Sequence, residues 1–152
     1  MKSYFLNLYR YDRWANSRVL ENLKGQDIRD NSIVNLFSHL ILAEKIWMMR
    51  IKGQDYKNLN FWKALSFSDC ETLIPEINDE YFSFINSSSV DDLNNKFEYI
   101  NSKGITYRNT IADTLTHVAF HSAYHRGQIA KGVRSLKKEP VLTDYIAFIR
   151  EQ

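Results

Sequence analysis

Three of the four histidines in this chain recur at intervals of four residues, in His117-Val-Ala-Phe-His121-Ser-Ala-Tyr-His125-Arg-Gly-Gln128. Four residues make one α-helical turn and a little more, so imidazoles at this spacing run along one flank of a helix. Two imidazoles one turn apart can close on a single divalent ion, the basis of helical His-x-x-x-His metal sites. The fourth histidine, His39, lies in another strongly helical segment and is a candidate third ligand. The plainer alternative is that these histidines only hydrogen-bond in or near a core.

The helix that carries the cluster has its own discriminator. It starts at a cap on Asn109 or Thr110, with Asp113 in its first turn, and runs to about Leu136; Pro140 forbids continuation beyond that. Ile111, Leu115, Val118, Ile129, Val133 and Leu136 form its apolar stripe. At 100° per residue His125 lies about 40° from the stripe centre, His121 about 80° and His117 about 120°. His121 and His125 are therefore the pair nearest the core, with His117 at the rim. Gln128 falls beside His121 on the wheel and lines the same cavity, and Gly127 would let a neighbouring helix approach.

A centre of three neutral imidazoles leaves a position for water or substrate and supplies no negative charge. Water or a thiol bound there would be strongly acidified. Structural zinc would want four protein ligands, usually with cysteines, and a carboxylate di-iron bundle would need Glu-x-x-His on two helices. Neither set is present.

The elements that must position these residues read as an all-α chain. A first helix spans about Ser3 to Lys24, with Gly25 as its stop, and its stripe includes Phe5, Leu8, Tyr9, Val19, Leu20 and Leu23. Asp12 and Asn16 interrupt that stripe one turn apart. Polar groups aimed at a core need partners or a purpose, so they form a register-setting pair or face a polar cavity containing the metal. A second helix, about Asp30 to Ile51, carries His39 on one flank beside Ala43. It also places Glu44 inward, where an ion pair with Arg126 or Arg13 is expected rather than metal ligation.

From Lys52 to about Phe67 no period emerges; Phe61, Trp62 and Leu65 are expected to anchor a long crossover along the bundle. A third helix starts with Ser68 or Asp69 as N-cap and ends near Asn86, followed by a Ser87-Ser-Ser89 loop. Phe97 to Tyr107 reads as a small hairpin around Asn101-Ser-Lys-Gly104, and Thr143 to Ile149 as a short closing helix.

With 152 residues, 20 Lys+Arg against 18 Asp+Glu and no long run of one sign, the chain fits one domain without an electrostatic footprint for nucleic acid or a membrane surface. Its single cysteine, Cys70, rules out an intrachain disulfide and suits a reducing compartment. The first residues lack a signal-peptide core, and no apolar run is long enough for a membrane helix. A soluble, cytoplasmic protein is expected.

His121-Ser-Ala-Tyr-His125-Arg-Gly-Gln128 resembles the signature of the DinB/YfiT superfamily of metalloenzymes. Tyr11-Asp-Arg-Trp14-Ala-Asn16, Ser38-His39-Leu and Thr143-Asp-Tyr match the same pattern in order, so the resemblance covers nearly the whole chain. It implies a four-helix bundle with up-down-down-up topology and a divalent metal, zinc or nickel, on His39, His121 and His125. It further implies a homodimer and, from better-understood relatives, transfer or isomerisation chemistry with a low-molecular-weight thiol such as bacillithiol or mycothiol. The expected function is activation of such a thiol for transfer to a small electrophile, with Asp12, Asn16 or Gln128 positioning or deprotonating the incoming group. A metal-dependent hydrolase and a non-catalytic metal-binding stress-response module are the alternatives.

Overall fold

The computed structural model describes residues 1–101 and 103–152. Two long helices open the chain, α1 (Lys2–Gly25) and α2 (Asn31–Ile51), and a third, α3 (Phe67–Ser87), follows the irregular residues 52–66. A short helix α4 (Val90–Asn94) then leads into strands β1 (Lys96–Ile100) and β2 (Thr106–Thr110). The long helix α5 (Ile111–Ser135) and the short α6 (Tyr145–Arg150) end the molecule.

Side-chain caps set most of these starts by satisfying the orphan N–H groups of a first helical turn. Asp30 accepts from the N–H groups of Ser32 and Ile33, and Thr110 from that of Asp113. The third long helix begins earlier than its sequence suggests. Ser66 is the cap, and Asp69 reaches back to it as the third helical residue of a capping box. The same device recurs at Ser89 and Asp92, so the serine run expected as a plain loop instead ends α3 and starts α4.

Contacts at the helix ends give the topology. Lys2 bonds to the Asn86 carbonyl and Lys24 pairs with Glu71, so α1 and α3 are antiparallel. Ile33 meets Gly132 and Trp47 meets His117, so α2 and α5 are antiparallel as well. Tyr9 donates to the Leu115 carbonyl near the start of both α1 and α5, which run parallel, and Arg29 lies over Phe67 where α2 and α3 set off together. The order is up-down-down-up, and parallel α2 and α3 force residues 52–66 to cross back along the bundle. Leu65 anchors that crossover, its N–H donating to Ser38 Oγ at 3.0 Å. Trp62 does not enter the core; it is 61% exposed and lies against His39 instead.

Inside, Tyr9 and Tyr81 stack at 4.3 Å among Leu23, Phe37, Leu40 and Leu115, all buried. The close helix approach expected at Gly127 occurs at Gly132, where a Cβ would meet Ile33 Cγ1 at 2.9 Å; at Gly127 nothing lies within 4 Å. Leu136, expected to extend the α5 stripe, is 40% exposed because the helix has already ended. The hairpin forms in the register Lys96↔Thr110 to Ile100↔Thr106. Gly104 takes φ +77 in its turn, a left-handed conformation that a side chain resists; Ser102, part of the expected turn, lies outside the described residues.

Candidate metal centre

The nitrogens of His39, His121 and His125 converge. One ring nitrogen from each lies within 4.8 Å of the others, and all three residues are half-buried. His121 Nε2 and His125 Nε2 are 3.0 Å apart. Two imidazole nitrogens bound at ~2.1 Å to one ion are separated by roughly 3.0–3.6 Å for bond angles of ~90–120°, so the pair fits a shared metal.

The surroundings orient the rings. His39 Nδ1 is 3.1 Å from the Phe61 carbonyl oxygen, which can only accept, so Nδ1 carries the proton and Nε2 keeps its lone pair. His125 Nδ1 donates in the same way to Gln128 Oε1 at 2.7 Å. Such outer partners fix tautomer and ring angle in metal-binding histidines. Trp62 stacks on His39 at 4.0 Å and 9°, covering one face of that ring. Burial, then the neighbouring His125, His39 and His117, pushes the His121 imidazole down to about 3. Burial also lowers His39, against the opposing effect of its bond to Phe61. Both are therefore unprotonated near neutral pH, as ligands must be.

Behind the histidines lies a buried polar network, and Asp12 and Asn16 belong to it. Arg126 Nη1 donates to Asp12 Oδ1 and to Asn16 Oδ1, each at 2.7 Å. Asn16 Nδ2 donates to Glu44 Oε1 at 2.9 Å and to Asp12 Oδ2 at 3.3 Å, and Ser122 Oγ donates to Glu44 Oε1 at 2.6 Å. Burial and the adjacent Asp12 raise the Glu44 carboxyl well above its ordinary range, which favours its neutral form, and the ion pair in the network is Asp12 with Arg126.

The site residues expected from sequence thus divide. The structure brings His39, His121 and His125 together. Gln128 joins them only through the ring of His125. Asp12 and Asn16, each 1% exposed, are engaged by Arg126 and Glu44 and not by the histidines. Glu44 does not pair with Arg126 or Arg13 as expected: Asp12 takes Arg126, and Arg13 reaches Asp79 at the surface. His117 stays outside the trio, its ring edge-on to Trp47 at 5.2 Å. There it lines a cavity of about 220 Å³ with Trp47, Tyr99, Asn109, Asp113 and Thr114.

Sequence reasoning passed over Ser122 and over the stacking of Trp62. The signal for Ser122 was available. Ser122 and Arg126 continue the Val118–Ile129 row at helical spacing, breaking an apolar stripe just as Asp12 and Asn16 break theirs.

Comparison with known proteins agrees with this geometry. The model of the DinB family matches residues 1–152, the full chain. "Protein DinB" of Bacillus subtilis (strain 168) is 25% identical over 162 residues, covering 95% of this chain and 93% of that protein.

Proposed function

Since the chain belongs to the DinB family, we propose that it is a metal-dependent enzyme that activates a low-molecular-weight thiol for transfer to a small electrophile. The observation that carries the reading is the double orientation of the trio. His39 and His125 both have Nδ1 engaged, by Phe61 and Gln128; His125 Nε2 faces His121 Nε2 at 3.0 Å, and a ring nitrogen of His39 lies within 4.8 Å of both partners. An ordinary core histidine needs no such arrangement.

A divalent ion on His39, His121 and His125, zinc or nickel as the family resemblance implies, would supply a Lewis-acidic position at which a bound thiol loses its proton. The protein's own residues do the rest. Phe61 and Gln128 hold two ligands in the required tautomer, and the stacked Trp62 shields one side of His39 from water. Asp12 and Asn16 hold Arg126 of α5 in the bundle core behind the histidines, a structural part.

Hydrolysis is the second reading, because the same ion could deliver hydroxide. A thiol, with an ordinary pKa near 8.5, needs far less help than water at ~15.7. The inward acids Asp12 and Glu44, the candidate bases for water, are already committed to Arg126, Asn16 and Ser122. The homodimer implied by resemblance and a cytoplasmic setting belong to the same proposal. Among the described residues no helix is long and apolar enough to cross a membrane.

The test is spectroscopic. Cobalt-substituted protein titrated with small thiols should develop thiolate-to-metal charge-transfer absorption that is missing from His121→Ala. Absence of that band, together with turnover of small amides or esters, would favour the hydrolase. Absence of both would leave the non-catalytic metal-binding module.

A further inference from the structure

Arg50, in the last turn of α2, is 7% exposed, yet among the described residues no carboxylate lies within 4.0 Å of its nitrogens. Its one hydrogen bond among those residues runs from Nη2 to the Ile100 carbonyl at a long 3.4 Å, and Nε is buried without a partner. Four aromatic rings surround the guanidinium instead: Trp47 at 4.6 Å, Tyr56 at 4.8 Å, Tyr99 at 5.2 Å and Phe61 at 5.4 Å. Cation–π contacts, with the negative end of the α2 dipole, make such burial tolerable without neutralising the charge. Buried charges are otherwise paired, so the guanidinium retains the capacity to pair with an anion.

Arg50 also lines a cavity of about 320 Å³ with Tyr56, Lys57, Leu59, Phe61, Ile100 and Asn101. Two cations, an amide, a tyrosine and apolar walls face this space, and among the described residues no acidic one does. That lining is the complement of an anionic group on an apolar or peptide-like stem. The cavity shares a wall with the metal centre. The Phe61 ring is 5.4 Å from the guanidinium and 6.3 Å from the His39 ring, and the Phe61 carbonyl holds His39 Nδ1. Guanidinium and ligand ring are no farther apart than those two steps together, which an extended tripeptide of ~10 Å nearly spans.

We propose that Arg50, assisted by Lys57, forms an anion subsite that takes the carboxylate or phosphate of the small molecule whose reactive end lies at the three-histidine centre. Naming that occupant as the substrate rests on the proposed function above; the subsite itself does not.

The first experiment uses the wild-type chain and no metal chemistry. The Arg50 Nε–Hε resonance, assigned on the wild type through its scalar correlation to the Arg50 side-chain carbons, is followed during titration with inorganic phosphate and with succinate at constant ionic strength. A saturable shift is expected, and the tighter of the two anions identifies phosphate or carboxylate as the source. The shift should persist in His121→Ala. No saturable shift with either anion would overturn the subsite. Because this measurement is made on the wild type, it stands whether or not Arg50 variants fold.

The second experiment compares glutathione with its diethyl ester on cobalt-substituted protein, read by thiolate absorption. Glutathione should bind at least tenfold more tightly to the wild type, and Arg50→Gln should lose that preference while keeping the metal. Equal binding of acid and ester would overturn the assignment of the subsite to the substrate. A missing thiolate band with every thiol would overturn the thiol reading and leave the anion result standing.

Discussion

Arg126 is the largest side chain among those almost wholly removed from solvent, and it carries a full charge. Asp12 meets that charge at 2.7 Å, while Asn16 links the pair to neutral Glu44. Breaking a buried pair leaves an uncompensated charge, a larger loss than an ordinary hydrogen bond of ~1 kcal/mol. Arg126→Met should therefore cost about 3–5 kcal/mol in urea unfolding, whereas Glu44→Gln, which replaces a carboxyl already neutral, should cost ~1 kcal/mol or less. Asn16→Leu should cost about 2–4 kcal/mol, since it orphans groups on Arg126 and Glu44, and should leave metal affinity unchanged. Normal stability with impaired ligand binding in Asn16→Leu would restore the cavity-facing role. The intrusion of Asp12, Asn16 and Glu44 into apolar stripes was legible in the sequence. Their pairing was not, because two acids and an arginine on three helices can combine in several ways until the helix order is known.

Protonation belongs to the same scale. An unfolded histidine titrates near 6.5, while His121 in the fold is held at about 3. As pH falls below ~6.5 the unfolded chain takes up a proton that the folded one refuses, so stability of the metal-free protein declines toward pH ~3. His39 and His117 shift in the same direction; Glu44, raised, has the opposite sign and disfavours the fold as pH rises toward its elevated value. The urea midpoint of chelator-treated protein should be lower near pH 5 than near pH 7, and the difference should shrink in His121→Asn. An undiminished difference in that variant would mean that His121 is not held neutral by the fold.

At the scale of elements, α5 and the crossover divide the work. The i, i+4 spacing on α5 provides two of the candidate ligands, and the crossover provides the Phe61 carbonyl and the Trp62 ring that orient the third. The helical half was legible, because the angular order about the apolar stripe singled out His121 and His125. The crossover half was not, because a backbone carbonyl has no sequence signature and residues 52–66 have no period. Gln128, expected to act on the incoming group, lies against the ring of His125. Removing such an outer partner typically weakens a metal site by 10–100-fold. Gln128→Ala should show that loss by isothermal titration with an unchanged melting temperature for the metal-free protein. Undiminished affinity would mean that the tautomer of His125 is set by something else.

The whole molecule is a bundle whose helix order, α1 beside α3 and α2 beside α5, brings His39 opposite His121 and His125. The family resemblance implied that order, and the long irregular connection was consistent with it. What they missed was local, the Ser66 and Ser89 capping boxes and the tight contact at Gly132, where one residue decides the geometry. With 68% of the residues helical, far-ultraviolet circular dichroism should be dominated by helix, with only a minor strand contribution from β1 and β2. A sheet-dominated spectrum would remove the scaffold and the centre together.

Everything functional in this account depends on one ion held by three particular rings. Elemental analysis of protein purified without a histidine tag or added metal measures that directly, on the wild type and on the four single histidine-to-alanine variants. The account predicts about one divalent metal per chain in the wild type and in His117→Ala, and little or none in His39→Ala, His121→Ala and His125→Ala. Metal retained in the last three, or lost from His117→Ala alone, would contradict it.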